Sequence, residues 1–316
     1  MDWKTVLSTT RVRDHFGGGA SVRSSVDLRS EFERDFGRCI YSAPFRRLQD
    51  KAQVFPLEPQ DAVRTRLTHS IEVSSVARGL GADIGRWLLE NKLVDPTLVS
   101  PIEVIAATCG MIHDLGNPPF GHAGEQAISE WFEKTFRPCN HLFGTSTQLA
   151  QDFLRWDGNA QTIRLITKLQ VLADDFGLNL TAGTVSAACK YVAASHEVDK
   201  TKGHEYSKPG YFFSESNVVK AVREITGTGV ARNPISYLVD AADDIVNATV
   251  DLEDGIKKRL ITWSELDSLL RNKANGNAHF DNAVALAKEK IGTALQGLRA
   301  MKVSHKHSER MQSSNS

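Results

Sequence analysis

From Glu31 to Leu298 apolar residues recur three and four positions apart, and beyond short valine-rich pieces no alternating pattern persists, so the chain is restricted to stacked amphipathic helices. Val73, Val76, Leu80, Ile84 and Leu88 form one stripe; Ile102, Ile105, Cys109 and Ile112 form another, in a helix that Pro101 suits at its first turn. The segment TVSAACKYVAASHEVDK reads as a helix carrying Lys190 and Tyr191, and SKPGYFFSES as a turn at Pro209-Gly210 with Lys208 at its edge. Pro234 opens a helix with apolar positions Leu238, Ala242, Ile245, Leu252 and Ile256, and Thr262 to Glu265 reads as a capping box. A last helix is expected from about Phe280 to Leu298. No internal repeat interrupts this order. The expected fold is all-α, one globular helical domain over residues 31–300. A flexible leader, residues 1–30 with the Gly17-Gly18-Gly19 run, precedes it, and a disordered polar tail, 301–316, follows.

Composition bounds the chemistry. With 38 Lys plus Arg against 38 Asp plus Glu there is no general basic field, so an anionic ligand has to be held by local charge. Cys39, Cys109, Cys139 and Cys189 show no metal-ligand spacing and fit reduced, buried thiols. No segment approaches the roughly 18 apolar residues of a membrane span, and the N-terminus has no apolar targeting core, so a cytoplasmic protein without membrane partners is expected.

The stretch GMIHDLGNPPFGHAGE, residues 110–125, concentrates the reactive side chains. His113 and Asp114 end a helix that Gly116, Asn117, Pro118 and Pro119 cannot continue. His69 shares the apolar stripe of Val73 and Val76, and a second His-Asp site gives it a use as a ligand. In the helix opened by Pro234, Asp240, Asp243, Asn247, Asp251 and Asp254 form a second stripe at spacings of three and four. Asp254 fits a solvated acidic face; Asp243, between Ala241, Ala242 and Ile245, fits burial against a cation, which offsets the cost of a buried carboxylate. His69, His113, Asp114 and Asp243 thus make a candidate divalent-metal site. Imidazole plus carboxylate does not select one ion, so manganese, magnesium and iron stay open.

The order His69, His113-Asp114, Asp243 resembles the metal quartet of the HD superfamily of phosphohydrolases. The strings RRLQDKAQVFPL, VRTRLTHSIEV, MIHDLGNPPFGHAGE, DGNAQTIRL, KPGYFFSE and VDAADDIVNATVDLED together resemble the bacterial dGTP triphosphohydrolases, over residues 34 to about 260. That resemblance implies an all-α fold, a manganese or magnesium ion, and hydrolysis of dGTP or other dNTPs to deoxynucleoside and triphosphate. It also implies a homo-oligomer, and single-stranded DNA as a partner in part of the family. By the same resemblance His122 and Glu125 are the catalytic pair, Arg66, Lys190, Tyr191 and Lys208 face the triphosphate, and Gln53 and Asp251 lie near the deoxyribose. Asn247 stands where that family commonly has a tyrosine in contact with sugar and phosphate, and the family continues into a C-terminal region beyond this chain's 316 residues. These two departures keep two alternatives in view: a nucleotide-binding or regulatory protein with little turnover, and an HD phosphohydrolase of different nucleotide choice.

Overall fold

The segment opened by Pro101 becomes the helix around which the others are laid. The computed structural model describes residues 2–18, 26–136, 147–170, 175–274, 276–286 and 289. Its helices include α1 (Trp3–Val6), α2 (Val12–His15), α3 (Glu31–Ile40), α4 (Ala43–Arg47), α5 (Arg66–Glu90), α6 (Val99–Ile112), α7 (Gly121–Phe136), α8 (Gln148–Leu154), α9 (Gly158–Arg164), α10 (Ala182–Ala188), α11 (Ser216–Thr226), α12 (Pro234–Lys257) and α13 (Trp263–Ala274). The fold is all-α, with one short parallel pair, β1 (Ala193–Ala194) and β2 (Pro209–Tyr211). The chain divides into two compact units, 1–254 and 255–316. In the second, Thr262 and Glu265 cap α13 reciprocally, as their spacing predicts. Part of the helix expected over Phe280–Leu298, and the whole of the 301–316 tail, lie outside the described residues.

In the first unit α6 is buried on all sides from Ile105 to Ile112, so it is a central helix rather than an amphipathic surface one. It serves two apolar clusters: Met111 and Ile112 pack with Leu48, Ile163 and Leu180, while Ile102, Ile105 and Ala106 pack with Val73, Ala77, Val239 and Val246. Helix α5 runs antiparallel against it at close range, because Gly85 faces Val99 and Ser74 faces Gly110. The buried stripe of α5 is accordingly His69, Ser70, Val73, Ser74, Ala77, Gly81, Gly85 and Leu88, while Ile84 is exposed. Small residues, which carry little hydropathy signal, complete this face beside Val73 and Leu88, while of the large apolar side chains taken from the sequence Ile84 points away from it. Helix α12 shifts likewise: its buried apolar positions are Ile235, Val239, Ala242, Val246 and Val250, and Ile245 and Leu252 are exposed.

Four further expectations are corrected. Asp254 is buried, and its carboxylate accepts from the Arg64 side chain (2.7 Å) and backbone N–H (3.1 Å), so a guanidinium rather than solvent compensates it. The reading of residues 1–30 as a leader apart from the core does not match the described stretch 2–18. Val6, Leu7 and Val12 are buried, and the Arg11 guanidinium pairs with Glu31 and with Asp35, which is fully buried. These contacts are to partners distant in sequence and leave no local period. Finally, α10 ends at Ala188, so Lys190 and Tyr191 lie beyond it in irregular chain before β1, and Pro209-Gly210 is part of strand β2 rather than a turn. A Cβ on Gly210 would lie 1.9 Å from the Tyr191 carbonyl oxygen, and only glycine allows the two backbones this approach. Gly210→Ala is expected to cost about 1–3 kcal/mol, the usual range for overpacking, read as a lower urea midpoint at unchanged slope.

Candidate metal centre and anion pocket

The pieces that α6 and its neighbours carry converge on one cavity of about 600 Å³. Gln53, Arg66, His69, His113, Asp114, His122, Lys190, Tyr191, Lys208, Asp243, Asn247 and Asp251 all line it; of the sequence-predicted site residues only Glu125 stands behind the wall. Every lining residue belongs to the first unit.

At its floor, ligand atoms of His69, His113 and Asp114 lie within 4.8 Å of one another. Asp243 joins them through Oδ1, 3.1 Å from His69 Nε2 and 3.6 Å from His113 Nε2. His113 Nδ1 donates to the Gly110 carbonyl (2.7 Å), which leaves Nε2 as the lone-pair nitrogen, 3.5 Å from Asp114 Oδ1. That nitrogen, and His69 Nδ1, are buried and have no hydrogen-bond partner. The lone pair of His113 Nε2 faces two carboxylates and repels them, and a divalent cation resolves that repulsion and can replace the proton shared by His69 Nε2 and Asp243, so the donor set fits a metal of mixed nitrogen and oxygen preference.

Outer contacts hold the carboxylates. Asp114 accepts from the Arg66 guanidinium on one oxygen and from Asn117 Nδ2 (2.5 Å) on the other. Burial pushes its pKa up, but His113 and Arg66 outweigh that and hold it below the ordinary carboxylate value. Burial also opposes ionisation of Asp243, yet the His69 hydrogen bond and the His113 ring lower it to about 2. Asn247 donates to Asp243 Oδ1 (2.8 Å) and accepts from Gln53 Nε2 (3.3 Å), so its side chain is turned toward the candidate ligand Asp243. Lys51 donates to the Asn117 carbonyl (2.7 Å) and pins the turn after Asp114.

His122 stands at the cavity wall with 84 % of its side chain exposed, and its Nδ1 is 2.8 Å from Glu125 Oε2. Glu125 is buried, and its Oε1 accepts from the Gly158 N–H (2.8 Å). A side chain at 158 would meet Asn117 Oδ1 at 2.2 Å, so the Asp157-Gly158 turn locks both the dyad and the metal-side turn.

The cations do not stand free. Arg66 pairs with Asp114, Lys190 with Asp240 (3.2 Å), and Lys208 with Asp157 (3.3 Å) and, more distantly, Glu125 (3.9 Å). Burial lowers the proton affinity of both lysines, but these carboxylates more than reverse it and raise their pKa values. Four aspartates, Asp114, Asp240, Asp243 and Asp251, line the cavity against three cations, so a polyphosphate is opposed unless a divalent ion reverses the balance. Sequence reasoning gave no role to Asn117, Asn159, Thr162 and Ser236 on the wall, or to Asp157 behind Lys208. The DLGN spacing, which returns the Asn117 amide to Asp114, and the Asp-Gly start of α9 were the available signals.

A sequence model of the HD domain family matches residues 66–248. A deoxyguanosinetriphosphate triphosphohydrolase-like protein of Listeria innocua is 40% identical over 274 residues, covering 84% of this chain and 58% of that protein. A like-named protein of Pseudomonas aeruginosa is 38% identical, over 85% of this chain and 60% of its own length. A deoxyguanosinetriphosphate triphosphohydrolase of Yersinia enterocolitica is 34% identical over 95% of this chain and 64% of its length. The chain therefore spans roughly three fifths of these curated relatives.

Proposed function

The chain belongs to the HD domain family, and from that premise we propose that it hydrolyses dGTP, or a related dNTP, to deoxynucleoside and triphosphate with a divalent ion. The observation that carries this reading is the placement of the exposed His122, backed by buried Glu125, on the wall of the cavity that holds the two-histidine, two-aspartate cluster. His69, His113, Asp114 and Asp243 would hold manganese, magnesium or iron, which supplies charge neutralisation and water activation for attack at the α-phosphorus.

Release of intact triphosphate breaks the bond between the α-phosphorus and the 5′-oxygen, and that oxygen leaves as an alkoxide unless it is protonated. His122 is the group placed to give it a proton. Glu125, held by the Gly158 N–H, keeps the imidazole oriented through its Nδ1. Arg66, Lys190 and Lys208 meet the phosphates, with Tyr191 beside them, and Gln53 and Asp251 lie on the wall where the sugar would sit. Incubating the protein with each dNTP and manganese, then separating the products, tests the reading; deoxynucleoside plus triphosphate is expected, and monophosphate plus pyrophosphate would overturn it. Lys208→Ala should lower kcat/KM about tenfold. A charge-assisted contact contributes about 1.5–3 kcal/mol, and the competing Asp157 carboxylate places this one at the lower end. The same reading includes a cytoplasmic homo-oligomer, for which light scattering of the purified chain should give a mass above 34.8 kDa.

A further inference from the structure

Hydrolysis at the α-phosphorus turns an ester oxygen into an ionisable one, so the triphosphate product carries more charge than the phosphate chain of the substrate. A pocket of unopposed cations would hold that product more tightly than the substrate, and release would limit turnover. Both lysines of this cavity are opposed. Lys190 Nζ is 3.2 Å from Asp240 Oδ1, and Lys208 Nζ is 3.3 Å from Asp157 Oδ2.

The two carboxylates are fixed from behind by their other oxygens. Asp240 Oδ2 accepts from Arg232 Nη2 (2.7 Å), and Arg232 is itself buried and donates to Ser236 Oγ (3.1 Å). Asp157 is buried, and its Oδ1 accepts from the backbone N–H (2.8 Å) and the side-chain amide (2.9 Å) of Asn159. Neither carboxylate can follow its lysine. The lysines, on flexible four-carbon stems and about one third exposed, can turn from carboxylate to phosphate and back.

We propose that Asp157 and Asp240 are positioning residues for product release: each competes with the triphosphate for one pocket lysine, recaptures it after hydrolysis and so weakens the hold on the product. This rests on the dNTP-hydrolysis reading above. A helix cap would need only a neutral oxygen at 157, and a partner for Arg232 alone would not need an oxygen directed at Lys190. The raised proton affinity of both lysines agrees with firm pairing in the ligand-free chain.

The sign of the test separates this role from a structural one. Asp157→Asn and Asp240→Asn should each bind inorganic triphosphate, in the presence of manganese, at least fivefold more tightly than wild type by calorimetry. Product inhibition should strengthen by the same factor, and multiple-turnover rates should fall relative to single-turnover rates. In Lys190→Ala/Asp240→Asn the gain should vanish, which shows that it acts through the lysine and not through a liberated Arg232. Should Asp157→Asn not fold, Asp157→Ser keeps an oxygen for the Asn159 N–H and carries the same expectation. A wild-type chain that binds triphosphate, with variants that bind it no tighter or more weakly, overturns this inference alone. A wild-type chain that neither binds triphosphate nor releases it from a dNTP removes the functional reading and this inference with it.

Discussion

His122→Ala is expected to keep its fold, its metal and its affinity for nucleotide, and to lose about 10²–10⁴ in turnover, the range of general acid–base assistance. The side chain is 84 % exposed, so its removal opens no cavity in the core. Its hydrogen bond is to Glu125, and it is not among the clustered ligand atoms of His69, His113 and Asp114, so ion binding should not change. On the proposed reading, what the variant lacks is the ring that faces a departing 5′-oxygen while Glu125 holds its other nitrogen at 2.8 Å. Metal content, nucleotide affinity and single-turnover rate should be measured on one preparation. Near-normal turnover in a folded, metal-loaded variant would sink the assignment, whereas loss of fold or metal would return His122 to a role in pinning the turn after Gly121.

The other large effect is expected at Asp114. Asp114→Ala should reduce metal affinity by more than the 10–100-fold that changes to outer contacts usually cost, because it removes a candidate ligand itself. It also leaves Arg66 and Asn117 without the carboxylate both donate to, and an uncompensated cation near the histidines repels a metal ion. Wild-type protein should gain about 2.7 kcal/mol of stability at a manganese concentration 100 times its Kd, seen as a rise in Tm. Asp114→Ala should show no such rise. A variant whose melting temperature still responds to manganese as wild type does would show that the ion sits elsewhere, and Asp243→Ala gives a second, independent trial of the same cluster.

The sequence by itself determined the helical class, because apolar spacing of three and four leaves no other way to bury those side chains. It also brought forward the candidate site residues, His69, the 113–114 pair and Asp243 by residue type and local spacing, and His122 with Glu125 by resemblance to a family motif. Tertiary structure alone decided which faces are buried. In α5 the close approach of α6 selects Ser74, Ala77, Gly81 and Gly85 over Ile84, and in α12 it is Val239 and Val246, not Ile245 and Leu252, that meet the core. Packing against partners far along the chain also took Asp254 out of water to meet Arg64 and drew Arg11 into the interior beside Asp35. It likewise held Lys190 and Lys208 on Asp240 and Asp157. Those pairings join residues 24 to 190 positions apart, and a charge gives no sign in sequence of which distant opposite charge will be brought to it, since that is fixed only when the helices close on their common core.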